Sequence, residues 1–320
     1  MKNKPIILIP GEPKSVFFEI FFKAIKKYDC KSPLILICSK KKLLLEKEKY
    51  RCKKNLRVLN SYNIKDYLLS NKSINVIDIV LQNSVHKRFN NEFIKRYLKQ
   101  SFEVAFKIIK SGFTDKFING PMDKNKFLNK KFLGMTEYIS NEFKVKKTGM
   151  LIYNKKLSVC PLTTHLPIKL VTKKITKKLI KDKIEVINCF YLKNFKFKPR
   201  IAVTGLNPHC ESIHLFNEDK KILYSSIQQA VKKGVNVKGP FPADTIFLSQ
   251  NRKKFDIILG MYHDQVLSPF KVLFEFDAIN ITMGLPFIRV SPDHGPNKIM
   301  MGKNKSNPLS LINALKFLDK

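Results

Sequence analysis

Short apolar runs separated by longer stretches of helical periodicity predict an α/β fold, with a mostly parallel sheet covered on both faces by helices. Three observations carry this. The apolar runs are short and nearly unbroken, as strands buried on both faces are. The stretches between them repeat apolar residues at helical spacing. At 320 residues and 44% hydrophobic content, the chain supplies enough apolar surface for two lobes.

Taken in order, residues 5–9 read as the first strand and 14–27 as the first helix. Residues 33–38 and 74–80 read as further strands. The clearest helix covers 91–111, because Phe93, Ile94, Tyr97, Leu98, Phe102, Ala105, Phe106 and Ile109 form one apolar face. A strand over 116–118 runs into the turn signal Asn119-Gly120-Pro121. A single helix is expected over about 172–192, where Ile175, Leu179, Ile184, Ile187 and Tyr191 group together and the lysines form a solvated face. Another is expected over about 218–233, and Asn307-Pro308 opens a last helix through Leu318. No internal repeat or low-complexity linker interrupts the chain, so two lobes would share crossing segments.

Several function classes are excluded by composition. No run of about 18 apolar residues exists, so no membrane span is expected. Six cysteines contain no C-x-x-C pair, which argues for a reduced, cytoplasmic protein without a thiolate zinc knuckle. The net charge of +36 raises a nucleic-acid reading, but only seven of the 61 basic residues are arginine. Readers of bases and phosphates lean on arginine forks, and the scattered lysines here carry no nucleic-acid signature. The charge should instead draw anionic substrates.

Three of the six histidines follow apolar runs. Residues 158–164 lead to His165, 201–208 to His209 and 255–262 to His263. Sheets of this class bind ligands just beyond the carboxyl ends of their strands, so three imidazoles there make a candidate metal site with open positions. Separate loop histidines bonded to their neighbours are the alternative for any one of them. His86 reads as a solvated surface residue and Cys210 as packing; His214 reads as a surface residue, with support of nearby His209 as the alternative. No glycine-rich dinucleotide fingerprint, Walker sequence or nucleophile elbow is present. Lys271, Asn280 and Arg289 are donors on a stretch otherwise apolar enough to be interior, which suits a phosphate or carboxylate. For Arg289 alone, pairing with a structural acid is the alternative.

These residues resemble the 4-hydroxythreonine-4-phosphate dehydrogenase family of vitamin B6 biosynthesis. The matching blocks are Gly11-Glu12-Pro13, Gly120-Pro121 with Lys124, Thr136-Glu137, Thr163-Thr164-His165-Leu166-Pro167, Gly205-Leu206-Asn207-Pro208-His209, residues 239–245, residues 261–265 and residues 280–295. The resemblance implies an isopropylmalate dehydrogenase-like fold, with 1–130 plus 285–320 as one lobe and 131–284 as the other, and the active-site cleft between them. It implies a homodimer with the site near the interface, and His165, His209 and His263 as ligands of one divalent ion (zinc, magnesium, manganese or cobalt). Thr136, Lys271, Asn280 and Arg289 would contact a small phosphorylated hydroxy-amino acid, and the loop at His294-Gly295 would approach NAD or NADP. The implied reaction is oxidation of 4-phosphooxy-L-threonine and decarboxylation to 3-amino-2-oxopropyl phosphate, with Asp244 or Asp264 as candidate base.

The chain departs from the family at four places: residues 210–214 stand where the family has small residues and glycine, Pro296-Asn297 stands where it has Thr-Ala, and two more bear on the substrate site. Lys14 to Phe18 replaces a glycine-rich turn, and Met135 stands where the family has histidine. A dehydrogenase for a related phosphorylated four-carbon hydroxy acid therefore stays open, as does a catalytically weakened basic protein that keeps the fold.

Overall fold

In the computed structural model, the described residues are 3–81, 91–123, 127–128, 132, 134–211, 217–292 and 297–319. The strands are β1 Ile6–Ile9, β2 Leu34–Cys38, β3 Leu56–Val58, β4 Ile74–Asp78, β5 Lys116–Asn119, β6 Gly149–Tyr153, β7 Ser158–Pro161, β8 Ile201–Thr204, β9 Val237–Phe241, β10 Ile257–Gly260, β11 Ile279–Met283 and β12 Ile288–Pro292. The chain divides into two compact units, Met1–Phe132 with Pro286–Lys320, and Leu133–Leu285.

In the first unit the strand order is β3-β4-β2-β1-β5-β12. Every pair along it is parallel. β1 and β2 are buried at every position, the unbroken apolar pattern of a sheet covered on both faces. The helix Asn91–Lys110 lays Leu98, Phe102, Ala105 and Phe106 into the core. There Phe102 meets the rings of Phe106 and Phe127 at 5.5 Å each and Phe117 at 6.0 Å. The residues in place of the family's glycine-rich turn are partly core: Phe17 and Phe18 are buried in the helix Phe17–Lys27. Gly11 has φ +83°, and a Cβ there would stand 2.1 Å from the Pro121 carbonyl oxygen. Only glycine allows that approach, and the crossing is tied by the Glu12 N–H bonded to Pro121 O at 3.0 Å.

In the second unit the order is β11-β6-β7-β10-β8-β9. β7, β10, β8 and β9 run parallel, while β6 is antiparallel to both β11 and β7. Its core gathers Ile152, Val159, Ala202, Phe247, Ile258, Val266 and Phe270. No helix among the described residues is long and apolar enough to cross a membrane.

The expected helix over 172–192 is two helices, Ile168–Lys174 and Lys177–Phe195. Ile175 and Thr176 are extended, and the Thr176 hydroxyl accepts the Leu179 N–H at 3.2 Å. A capping threonine starts a new helix, which apolar recurrence alone does not reveal. Thr176→Ala should cost about 1 kcal/mol, measured as a lower urea midpoint with unchanged slope. The stretch expected as a helix over 218–233 opens as a π-helix, Asp219–Tyr224, before the α-helix Ser225–Lys232. The helix Lys40–Lys49 had no apolar signal because only Leu43 of its residues is buried. Helix Met135–Glu142 and strand β6 were likewise not legible from periodicity.

Candidate active site

Because β7, β10 and β8 lie side by side and parallel, their carboxyl ends share one edge of the second unit's sheet. The chain beyond each strand carries one of the three histidines. His263 begins the helix His263–Phe274, and its Nδ1 lies 2.7 Å from the Asp264 carboxylate. That contact has Nδ1–H donating to the carboxylate, which leaves Nε2 as the free lone pair. The rings of His165 and His263 have centroids 5.9 Å apart. Imidazole nitrogens bind a divalent ion at about 2.0–2.1 Å, so two rings sharing one ion sit with centroids roughly 5–6 Å apart. The pair fits an ion in donor type and spacing.

His209 is exposed and stands in the left-handed region at φ 56°, as does Cys210 at φ 62°. No ring contact joins it to the other two, and among the described residues no group of three or more His, Cys, Asp or Glu side chains is gathered closely enough to hold a metal. The His209 turn is nevertheless tightly braced. Asp219, 1% exposed, accepts the backbone N–H groups of Leu206 at 2.6 Å and Asn207 at 3.1 Å, and the Asn207 side-chain amide at 2.9 Å. Asp219 carried no sequence signal, being one acid in a charged helical stretch. Cys210 is packing: a Cβ on Gly205 would meet its Sγ at 2.6 Å. Burial, and then the Asp219 charge, push its thiol up to about 11, so it stays protonated at neutral pH.

The phosphate-type donors divide. Gly134 caps the helix Met135–Glu142, and a Cβ there would stand 3.3 Å from the His165 ring and 2.9 Å from the Glu137 carboxylate. His165 thus lies against the N-terminal turn that carries Thr136. The Thr136 and Thr282 hydroxyl oxygens are 3.5 Å apart, and Asn280 shares the Thr282 face of β11. The Asn280 Oδ1 is buried without a hydrogen-bond partner. An unsatisfied acceptor of this kind calls for an N–H or O–H donor, not for a phosphate oxygen. Lys271 lies on the partly exposed face of the His263 helix, with Nζ donating to the Glu275 carbonyl at 3.3 Å, and not on an interior stretch as the sequence suggested. Arg289 belongs to β12 of the other unit, where it is buried and its Nε donates to the Asn119 side-chain Oδ1 at 2.7 Å. Met135 is buried at 5% exposure. His294 and Gly295, with Lys124, His86 and His214, lie outside the described residues.

Known proteins are similar to this chain over nearly all of its length. A 4-hydroxythreonine-4-phosphate dehydrogenase of Sulfurihydrogenibium sp. (strain YO3AOP1) is 35% identical over 311 residues, covering 95% of this chain and 94% of that protein. The crystal structure of 4-hydroxythreonine-4-phosphate dehydrogenase from Klebsiella pneumoniae superposes with a TM-score of 0.81 at 27% identity, covering 99% of this chain and 97% of that one. Isocitrate dehydrogenase from Methylococcus capsulatus shares the fold alone, at a TM-score of 0.50 and 9% identity over 97% of this chain and 83% of its own. The model of the family described as pyridoxal phosphate biosynthetic protein PdxA matches residues 30–318. The chain therefore belongs to the PdxA family.

Proposed function

We propose that this protein is a metal-dependent, NAD(P)-linked dehydrogenase that oxidises 4-phosphooxy-L-threonine in pyridoxal phosphate biosynthesis. One observation carries the reading: His165, paired with His263, lies against the helix start that carries Thr136, so cation donors and phosphate donors adjoin at one sheet edge. A substrate with a phosphate at one end and a hydroxyl and amine at the other matches that arrangement. The family name and the dehydrogenase relatives point the same way.

In this reading His165 and His263 would hold one divalent ion, zinc, magnesium, manganese or cobalt, with His209 as the third ligand that the resemblance implies. When bound, such an ion would supply Lewis acidity toward the substrate oxygens. Thr136 and the helix N–H groups bind the phosphate, the Asn280 amide donates to it, and Asp264 keeps His263 in the tautomer that presents Nε2. Lys271 would add positive charge, and Arg289, His294 and Gly295 keep the phosphate and dinucleotide roles that the family resemblance implies. A bound nicotinamide would take the hydride of the substrate alcohol, whose proton would pass to a base. The resulting 3-oxo acid loses carbon dioxide and ends as 3-amino-2-oxopropyl phosphate. The active form in this reading is a homodimer in the cytoplasm.

The test is reduced-nicotinamide formation from 4-phosphooxy-L-threonine with and without chelator. Chelator-sensitive turnover supports the proposal; no turnover by metal-loaded protein ends it. Thr136→Val should raise KM about tenfold or more with kcat little changed, since a hydrogen bond to a charged group contributes roughly 1.5–3 kcal/mol. Buried Met135, in place of an imidazole, favours a second reading, a related phosphorylated four-carbon hydroxy acid. A higher kcat/KM for that acid would select it.

A further inference from the structure

Gln265 lies in the Met261-to-Gln265 run, and the proposed reaction gives it no role. Its carboxamide is half-buried between the ends of β8 and β10. The Nε2 donates to the Gly205 carbonyl at 2.8 Å, at the root of the His209 turn. The Oε1 accepts the Thr204 hydroxyl at 2.8 Å and the Met261 N–H at 2.7 Å. Met261 is fully buried, and its carbonyl accepts both the Thr163 N–H at 3.3 Å and the Thr163 hydroxyl at 2.8 Å. Thr163 lies two residues before His165, and Gln265 two residues after His263. One amide therefore links, through Met261, the chain segments that carry all three histidines.

We infer that Gln265 is a positioning residue, a clamp that sets the register of the three histidine-bearing loops against one another. Only a carboxamide meets the demand, because one atom must donate while the other accepts twice. Glutamate at 265 would set a carboxylate oxygen against the Gly205 carbonyl with nothing to donate. Methionine has a similar length and makes none of the three bonds. Gly260 fits the same purpose: a Cβ there would lie 3.2 Å from Gln265 Oε1 and 2.3 Å from Val266 Cγ1. Buried polar networks of this kind hold a geometry when every member is satisfied.

The inference rests on the proposed metal reading only for its functional consequence, so the test has two readouts. Hydrogen–deuterium exchange is followed by mass spectrometry in peptides covering residues 160–166, 204–210 and 260–264. The proteins are the wild type, Gln265→Met, Gln265→Glu and a control, Asn154→Ala. Asn154 is a buried amide in the same unit that donates to both the backbone carbonyl and the carboxylate of Asp277, away from the histidines. The clamp predicts exchange at least tenfold faster in all three peptides for both Gln265 variants, and unchanged exchange there in the control despite its lower melting temperature. Loosening confined to 260–264, or equal loosening in the control, overturns it. The second readout titrates metal-free protein with cobalt(II), and binding at least tenfold weaker in the Gln265 variants than in the control supports the positioning role. If the wild type binds no cobalt, the three-histidine reading fails, and the exchange pattern still decides the clamp.

Discussion

Replacing His263 with alanine is expected to lower kcat/KM for 4-phosphooxy-L-threonine about a thousandfold, roughly 4 kcal/mol of transition-state stabilisation. The magnitude follows from its placement. Its ring is one of the two brought within 5.9 Å, and its Nδ1 is engaged by Asp264, which leaves Nε2 as the nitrogen to face a ligand. Losing this donor would leave a site whose charge at the reacting oxygen is poorly neutralised, and added metal should restore little. Steady-state kinetics over a range of metal concentrations reads the effect. A variant within threefold of wild type would remove His263 from the chemistry. His209→Ala adds a separate outcome: a comparable loss would mean that its turn closes onto the ion in the working enzyme.

The largest stability effect is expected in the first unit, at Phe102. This side chain is fully buried and faces the rings of Phe106, Phe117 and Phe127. Phe102→Ala removes most of a large side chain from a place where four aromatic rings hold one another apart, so collapse into the void is limited. The cost should be about 3–5 kcal/mol, beyond the usual range for a surface change. Denaturant unfolding of the purified protein measures it. A loss under 1 kcal/mol would show that the ring cluster rearranges freely.

Much of this architecture was legible in the chain because burial on both faces writes itself as unbroken apolar runs. β1, β2, β7, β8 and β10 were all found that way, and so was the helix Asn91–Lys110. The misses have local causes. Lys40–Lys49 buries one residue, and the break before Lys177 depends on one capping hydroxyl. Lys271 looked interior because its neighbours are apolar, yet Val272 beside it is 84% exposed.

What the sequence determined alone was the strand–helix alternation and the arrival of His165, His209 and His263 just past strand ends, since both are written in residues close along the chain. Tertiary structure decided the rest. The order β7-β10-β8 makes His165 and His263 neighbours, and the register of β11 against the helix Met135–Glu142 brings Thr282 to Thr136. Asp219 under the His209 turn and Gln265 between strand ends also appear only once the chain is folded. Strand pairing and hydrogen bonds across long sequence separations depend on which elements pack side by side, and nothing local in the chain encodes that.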